Sequence, residues 1–263
     1  MPSEKITSDT IRQMKGREPI AALTAYDYPM ARMLDECGVP LLLVGDSLGM
    51  VVLGLPDTTS VTMADMEHHT RAAARAQPRA LLAADLPKGS CGTPSDAVTN
   101  ARRLVGAGAE AVKAEGGTVI KPQVEAIVAE GIPFLGHIGM LPQNVHDEGG
   151  YKVKGKVEHE RSAILRDAEA LVEAGAFAIV LELVAPAVTD YLTEELPIPT
   201  IGIGSGSNCD GQILVTTDLW ATSPDYIPRH VRPNMQVPLE MRAAVSNWIN
   251  SFKLEKITDT HRD

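Results

Sequence analysis

Several features that mark large classes of protein are scarce or missing in this sequence. Cysteine occurs only at Cys37, Cys91 and Cys209, far apart and without a CxxC pair, so we expect reduced thiols rather than a disulfide framework or a zinc site. Aromatic residues make up 4% of the 263 positions, so the core must be built from aliphatic side chains. Hydrophobic residues nevertheless reach 44%, which is enough for a large core.

Long apolar runs and clusters of positive charge are missing as well. No apolar run approaches the roughly 20 residues that span a bilayer, and the N-terminal MPSEKITSDT lacks the apolar segment of a signal peptide. The formal net charge is −10 and lysine and arginine form no block, which argues against nucleic acid or an anionic membrane as a partner. We therefore expect a soluble, cytoplasmic protein.

What the sequence does have is a regular alternation of short apolar segments and helical patterns. Strands are predicted at residues 20–25, 41–44, 80–84, 199–203 and 213–216, and three more end at residues 115, 137 and 182. The segments LVGAGAEAVKAE (104–115) and LVEAGAFAIVLE (171–182) repeat one unit, in which a helix end and a glycine precede a strand that ends in glutamate. This alternation indicates successive βα units around a parallel sheet.

Polar side chains end five consecutive strands of this predicted sheet. They are Asp46, Asp85, Glu115, His137 and Glu182. An open doubly wound sheet would concentrate its site at one switch point, whereas a closed barrel gathers every carboxyl end around one mouth. We therefore predict a single (β/α)₈ TIM barrel domain over residues 1–263, with an N-terminal helix near 9–15. After about residue 224 the pattern loosens into a proline-rich extension that includes a helix within 235–253.

Asp46, Asp85 and Glu115 follow or end neighbouring strands, so their carboxylates should converge. Converging carboxylates repel one another and need a cation, and an all-oxygen set favours a hard ion such as Mg²⁺. The alternative for each acid is that it caps a helix or pairs with a lysine.

Three further side chains face the same mouth. Lys113 lies two residues before Glu115 on the same face of its strand, where it would either bind a substrate carboxylate or neutralise the acids. His137 could donate to a substrate, ligate a softer metal, or be an ordinary core histidine. Glu182 ends the sixth strand inside the otherwise apolar segment IVLELV, so burial would raise its pKa and make it a proton acceptor, unless it forms a structural ion pair.

Two glycine-containing loops complete the predicted mouth. GIGSGS at residues 202–207 exposes backbone N–H groups after the seventh strand, a usual place for anion binding in barrels, although glycines also permit tight turns. GGYKVKG at 149–155 is interpreted as a mobile loop over the mouth with Tyr151 and Lys152 at its tip, or else as a surface hairpin.

Motifs in this order and spacing resemble those of the ketopantoate hydroxymethyltransferase family. They are VGDSLGM, VTMADMEHHT, ADLP, VKAEGG, GHIGMLPQ, GGYKVKG, LELV and IGIGSG…DGQ, and they extend from about residue 6 to 218. The resemblance implies a barrel of the phosphoenolpyruvate/pyruvate superfamily, Mg²⁺ dependence, 5,10-methylenetetrahydrofolate as one-carbon donor, a 2-oxo acid as acceptor, and a homo-oligomer, a decamer in this family.

The resemblance also implies a role for each polar residue of the mouth. Asp46 and Asp85 correspond to direct metal ligands and Glu115 completes the metal surroundings, while Glu182 is the base. The residues that correspond to oxo-acid ligands are Ser47, Lys113 and His137.

The sequence departs from the family pattern at residues 88–91, where KGSC stands in place of the usual Phe, Met, small residue and Tyr. Two other functions remain open at this point. One is a lyase or aldolase of the same superfamily that acts on a different 2-oxo acid. The other is a non-catalytic metal-binding barrel, which would tolerate Glu182→Gln.

Overall fold

The computed structural model describes residues 4–223 and 226–259. The chain divides into two compact units, Met1–Val215 and Thr216–Asp263. The first unit contains all of the strands described below, so the prediction of one domain over the whole chain remains a prediction.

Parallel strands in the first unit close into an eight-stranded barrel in the order β1 to β8. Their bounds are β1 Ile20–Thr24, β2 Leu41–Val44, β3 Leu81–Asp85, β4 Ala111–Glu115, β5 Phe134–Gly139, β6 Ala178–Glu182, β7 Thr200–Ile203 and β8 Gly211–Leu214. The predicted (β/α)₈ barrel is therefore confirmed.

The predicted position of the last strand, residues 213–216, is wrong. β8 begins at Gly211, which pairs with Ile20 of β1, and Thr216 already starts a helix. A side chain at position 211 would place its Cβ 2.3 Å from the Ile20 carbonyl oxygen, so only glycine permits this close approach. The apolar pattern does not reveal such a strand start.

Helices of the first unit follow the strands and begin at capping residues. Thr62 accepts a hydrogen bond from the Asp65 N–H while Asp65 accepts from the Thr62 N–H, which forms a capping box. The side chains of Asp27 and Thr93 each accept one backbone N–H at the start of α2 and α5, without a capping box, and proline lies in the first turn of both helices. The helices are α1 Ser8–Gln13, α2 Tyr28–Glu36, α3 Leu48–Val51, α4 Met63–Ala74, α5 Pro94–Gly106, α6 Lys121–Ala129, α7 Glu158–Glu173 and α8 Pro186–Glu195.

The core inside the barrel is built mainly from aliphatic side chains of alternate strand positions. Leu41 and Leu43 of β2 and Leu81 of β3 belong to one buried cluster with Ile11 of α1. The N-terminal helix therefore covers the end of the barrel opposite the carboxyl ends of the strands. Low aromatic content and a large aliphatic core agree with the composition.

The second unit is helical in its described part. It contains α9 Thr216–Leu219 and α10 Gln236–Asp259, so the helix predicted within residues 235–253 is confirmed and extends further. Five large apolar side chains of α10 are at least half exposed, namely Leu239, Met241, Val245, Trp248 and Phe252. In the described residues of both units, no helix is long and apolar enough to cross a membrane.

Candidate active site

The register of the barrel brings the predicted polar residues to one mouth. Asp85 lies opposite Lys113, and Glu115 lies opposite His137. Glu182 lies opposite Gly139 at the end of β6. Asp46 follows Gly45 directly after β2, beside the end of β3.

Asp85 and Lys113 form a buried ion pair at the centre of this cluster. Lys113 Nζ donates to Asp85 Oδ1 at 2.6 Å, with both side chains no more than 5% exposed, and the Asp46 N–H donates to Asp85 Oδ2 at 3.0 Å. Burial alone would lower the pKa of Lys113, but the charges of Asp85, Asp46 and Glu115 raise it overall. Lys113 therefore stays charged and pairs with Asp85, while its predicted binding of a substrate carboxylate remains a prediction.

The backbone at Gly45 has no room for a side chain. A Cβ there would lie 2.9 Å from Ser47 Oγ and 3.6 Å from Asp85 Oδ2. Ser47 is half-buried, and its hydroxyl lies 2.9 Å from the hydroxyl of the buried Tyr26. A larger residue at position 45 would therefore displace the Ser47 hydroxyl.

His137 lies between two carboxylates. Its Nε2 is 3.3 Å from Glu182 Oε2 and its Nδ1 is 3.8 Å from Glu115 Oε1, and the imidazole is buried. Burial, followed by the positive charge of Lys113, lowers the pKa of His137 to about 3. The imidazole is therefore neutral, with one ring N–H as a donor.

Burial also makes the carboxylates hard to ionise. Desolvation and the neighbouring Asp85 raise the pKa of Asp46 to about 7. Desolvation and the charge of Asp46 raise the pKa of Glu115 well above its ordinary range. The cluster therefore holds more acidic groups than Lys113 can neutralise, which is an environment that favours a cation.

A hard divalent cation fits the donor set of this mouth. Within residues 4–223 and 226–259, no three His, Cys, Asp or Glu side chains are already arranged as metal ligands. Mg²⁺ commonly takes only one or two protein carboxylates and keeps several waters, so Asp46 and Asp85 with solvent would suffice. The ligand roles of Asp46, Asp85 and Glu115 remain predictions.

Gln143 is a polar residue of the mouth that the sequence analysis did not single out. It lies after β5 in the 3₁₀ turn Pro142–Asn144, and its Nε2 donates to Asp46 Oδ2 at 2.8 Å. Its backbone N–H donates to Glu115 Oε2 at 3.0 Å. The available signal was its position at the end of GHIGMLPQ, shortly after His137.

Two loops that follow β5 and β7 are fastened to the end of β6. Lys154 pairs with Val184 in a parallel bridge, its N–H donates to the Leu183 carbonyl at 2.7 Å, and its Nζ lies 2.6 Å from Glu148. Ser205 is buried and accepts from the Val184 N–H at 2.9 Å. The 149–155 segment is therefore anchored at Lys154 rather than folded as a hairpin. Anion binding by 202–207 remains a prediction.

Tyr151 of the anchored loop lies near the acidic mouth. Its ring is half exposed, and burial of the hydroxyl together with the charges of Glu182, Asp46 and Glu115 raises its pKa. The phenol therefore keeps its proton and can donate a hydrogen bond at the mouth.

Comparison with known protein structures shows the same barrel. A phosphoenolpyruvate phosphomutase from Streptomyces platensis subsp. rosaceus superimposes with a TM-score of 0.62 at 17% identity, covering 82% of this chain and 83% of that chain. A phosphonopyruvate hydrolase in complex with oxalate and Mg²⁺ gives a TM-score of 0.59 at 14% identity, covering 92% and 97%. At these identities the likeness concerns the fold.

Comparison of sequences identifies much nearer relatives. The 3-methyl-2-oxobutanoate hydroxymethyltransferase of Ignicoccus hospitalis is 52% identical over 223 residues, covering 84% of this chain and 85% of that protein. The enzyme of the same name from Caldivirga maquilingensis is 49% identical over 257 residues, covering 97% of each. That from Geobacter metallireducens is 46% identical over 260 residues, covering 98% and 97%.

The family model described as ketopantoate hydroxymethyltransferase matches residues 5–257. This match extends well past residue 218, where the motif resemblance ends. The chain therefore belongs to the ketopantoate hydroxymethyltransferase family.

Proposed function

We propose that this enzyme transfers a hydroxymethyl group from 5,10-methylenetetrahydrofolate to 3-methyl-2-oxobutanoate, giving 2-dehydropantoate for pantothenate biosynthesis. The observation that carries the proposal is the buried cluster of Asp46, Asp85 and Glu115 around Lys113, with His137 and Glu182 beside it, in a chain of this family.

Asp46 and Asp85 would hold Mg²⁺ directly, and Glu115 would complete its surroundings. The raised pKa values of Asp46 and Glu115 support this assignment, because a cation is what such carboxylates need in order to ionise. When bound, Mg²⁺ would polarise the keto group of the 2-oxo acid and stabilise the negative charge that develops as C3 loses its proton.

Ser47, Lys113 and His137 would bind the oxo acid. The Ser47 hydroxyl is already oriented by Tyr26, so little motion is needed to present it to a substrate. Lys113 remains charged and neutral His137 has one N–H to donate, so both suit an anionic ligand in a buried place.

Glu182 would remove the C3 proton of the oxo acid. Its carboxylate lies at the mouth 3.3 Å from His137 and is still 14% exposed, so substrate can reach it. One C–N bond of the folate opens to an iminium, water adds to its methylene carbon, and the second C–N bond breaks with a proton on nitrogen, so that tetrahydrofolate leaves and formaldehyde remains. The C3 nucleophile then forms a bond to the formaldehyde carbon, and the formaldehyde oxygen takes a proton to become the hydroxyl of the new hydroxymethyl group.

The loop after β3, outside the acidic cluster, would influence which oxo acid the enzyme uses. Lys88, Gly89 and Cys91 line a cavity of about 300 Å³ together with Glu115 and Gln143. Because these positions depart from the family pattern, a second candidate is the same enolate chemistry on a different 2-oxo acid.

Deuterium exchange at C3 tests the proposed function. Proton NMR of 3-methyl-2-oxobutanoate in D₂O should show enzyme-dependent loss of the C3–H signal that requires Mg²⁺ and stops with EDTA. Adding 5,10-methylenetetrahydrofolate should then yield 2-dehydropantoate. Exchange of pyruvate or 2-oxobutanoate in preference would favour the second candidate, and no exchange of any oxo acid would contradict both.

We further propose a cytoplasmic homo-oligomer, a decamer by family resemblance. Free Cys37, Cys91 and Cys209 suit a reducing compartment, and the exposed apolar side chains of α10 suit an interface between copies.

A further inference from the structure

Gln143 links the ends of strands that carry all three predicted metal ligands. Its side-chain Nε2 donates to Asp46 Oδ2 at 2.8 Å, after β2, and to the Leu86 carbonyl at 3.1 Å, after β3. Its backbone N–H donates to Glu115 Oε2 at 3.0 Å, at the end of β4. A residue that follows β5 thus contacts three other strand ends.

The orientation of the Gln143 amide is set by its two acceptors. A primary amide nitrogen has two hydrogens. The Leu86 carbonyl oxygen can only accept a hydrogen bond, and so can the Asp46 carboxylate once it is ionised, as it would be when it binds a cation. If the amide were rotated by half a turn, its oxygen would face two acceptor oxygens. The nitrogen therefore points toward Asp46.

Four donors hold the three predicted ligands, and two of the four belong to Gln143. Asp85 is held by Lys113 and by the Asp46 N–H. The Asp46 carboxylate is held by the Gln143 side chain, and Glu115 by the Gln143 backbone. A second lysine in this place would cancel the negative charge of Asp46 that would attract a cation. The neutral amide of Gln143 orients the carboxylate and leaves that charge in place.

We propose that Gln143 is a positioning residue for divalent-cation binding, in which its side-chain amide holds the Asp46 carboxylate in place against the end of β3. The inference rests on the proposed function, because it presumes that Asp46 binds the metal. Groups that orient a metal ligand typically contribute about 10- to 100-fold to metal affinity or activity.

Substitution of Gln143 by Met tests the inference, because Met is similar in length and lacks donors while the backbone N–H to Glu115 remains. We expect Mn²⁺ binding, measured by titration calorimetry and by the electron paramagnetic resonance signal of free Mn²⁺, to weaken about 10- to 100-fold. Gln143→Asn, which retains the amide but is one methylene shorter, provides a second variant if Gln143→Met does not fold.

Gln123→Met is the matched control. Gln123 lies on α6, and its Nε2 contacts the carbonyls of Cys91 and Gly92 at 3.3 and 3.4 Å rather than a carboxylate. Mn²⁺ affinity should be unchanged in this variant.

A second measurement on Gln143→Met separates positioning from a general loss of structure. Its exchange activity should recover as the Mg²⁺ concentration is raised, which a general loss of structure would not allow.

The outcomes separate the inference from the proposed function. If wild type and both Gln143 variants bind Mn²⁺ equally, the role of Gln143 is refuted while the proposed function stands. If activity of the variants stays low at saturating Mg²⁺ although Mn²⁺ binds normally, Gln143 acts elsewhere and the inference is wrong. If the wild type binds no divalent cation, both the metal site and this role of Gln143 are refuted.

Discussion

Replacing Lys113 with Met should make the stability of the protein depend on a divalent cation. Lys113 is 4% exposed and its Nζ lies 2.6 Å from Asp85 Oδ1, with Asp46 and Glu115 close enough to raise its pKa. Methionine has similar volume and fills the same space, so the change removes charge more than packing. Buried carboxylates then face one another without the cation that the lysine supplies.

The expected loss of stability follows from the burial of the ion pair. Removing one partner of a buried pair typically costs about 3–5 kcal/mol, because an uncompensated charge is left behind. For a unit of this size each kcal/mol lowers Tm by about 2–4 °C, so we expect a decrease of about 6–20 °C in EDTA. Metal binding at 100 times Kd would restore about 2.7 kcal/mol.

Calorimetry of the wild type and Lys113→Met, each with EDTA and with saturating Mg²⁺, measures this effect. Lys121→Met is the matched control, because Lys121 pairs with Glu125 on the helix surface, with side chains 32% and 50% exposed, and its loss should not change Tm measurably.

A double substitution separates charge from packing. Lys113→Met combined with Asp85→Asn removes both partners, so it should be less destabilised in EDTA than Lys113→Met alone. If Lys113→Met melts like the wild type in EDTA, the buried pair contributes nothing and the reasoning fails. If the double variant is the least stable of the set, packing rather than charge determines the result.

Four other predictions concern the proposed chemistry. Glu182→Gln should reduce C3–H exchange by about 10²-fold or more while oxo-acid and metal binding survive, since it removes only the proton acceptor; NMR exchange and calorimetry check this, and loss of metal binding would make Glu182 a ligand. Chelation, or Asp46→Ala, should abolish binding of 3-methyl-2-oxobutanoate with a modest change in Tm; unchanged calorimetric binding after chelation would contradict this. The pKa of Asp46 is raised to about 7 in the metal-free protein, so the contribution of the protonated carboxyl to the free energy of unfolding is complete below about pH 4 and is lost as pH rises through 7. Cation affinity should change in the opposite direction and rise up to about tenfold per pH unit until it levels off above pH 7, because the cation competes with this proton. Cation titrations at pH 6, 7 and 8 that give equal affinity would exclude this competition. Light scattering should detect an oligomer at micromolar concentration, and a monomer would refute the assembly.

The local sequence was sufficient to predict the barrel and most of its mouth. Strands buried on both faces form continuous aliphatic segments such as LLLV before Asp46, and a glycine break precedes several of them. The carboxyl ends of all strands in a closed barrel meet at one mouth. The position of acidic residues at strand ends was therefore enough to predict that they converge. Asp85, Glu115, His137 and Glu182 were placed together for this reason alone.

Only the tertiary structure decided which of these groups contact one another. The sequence did not show which acid lies beside Lys113, and the pairing of β3 with β4 places Asp85 there. Gln143 lies 97 residues from Asp46 and is neither charged nor at a strand end, so no local pattern connects the two. The start of β8 at Gly211 likewise depends on how closely β1 approaches. Periodicity and strand-end position are local properties of a chain, whereas hydrogen bonds between distant loops depend on barrel closure and register, which the chain reaches only when it is folded.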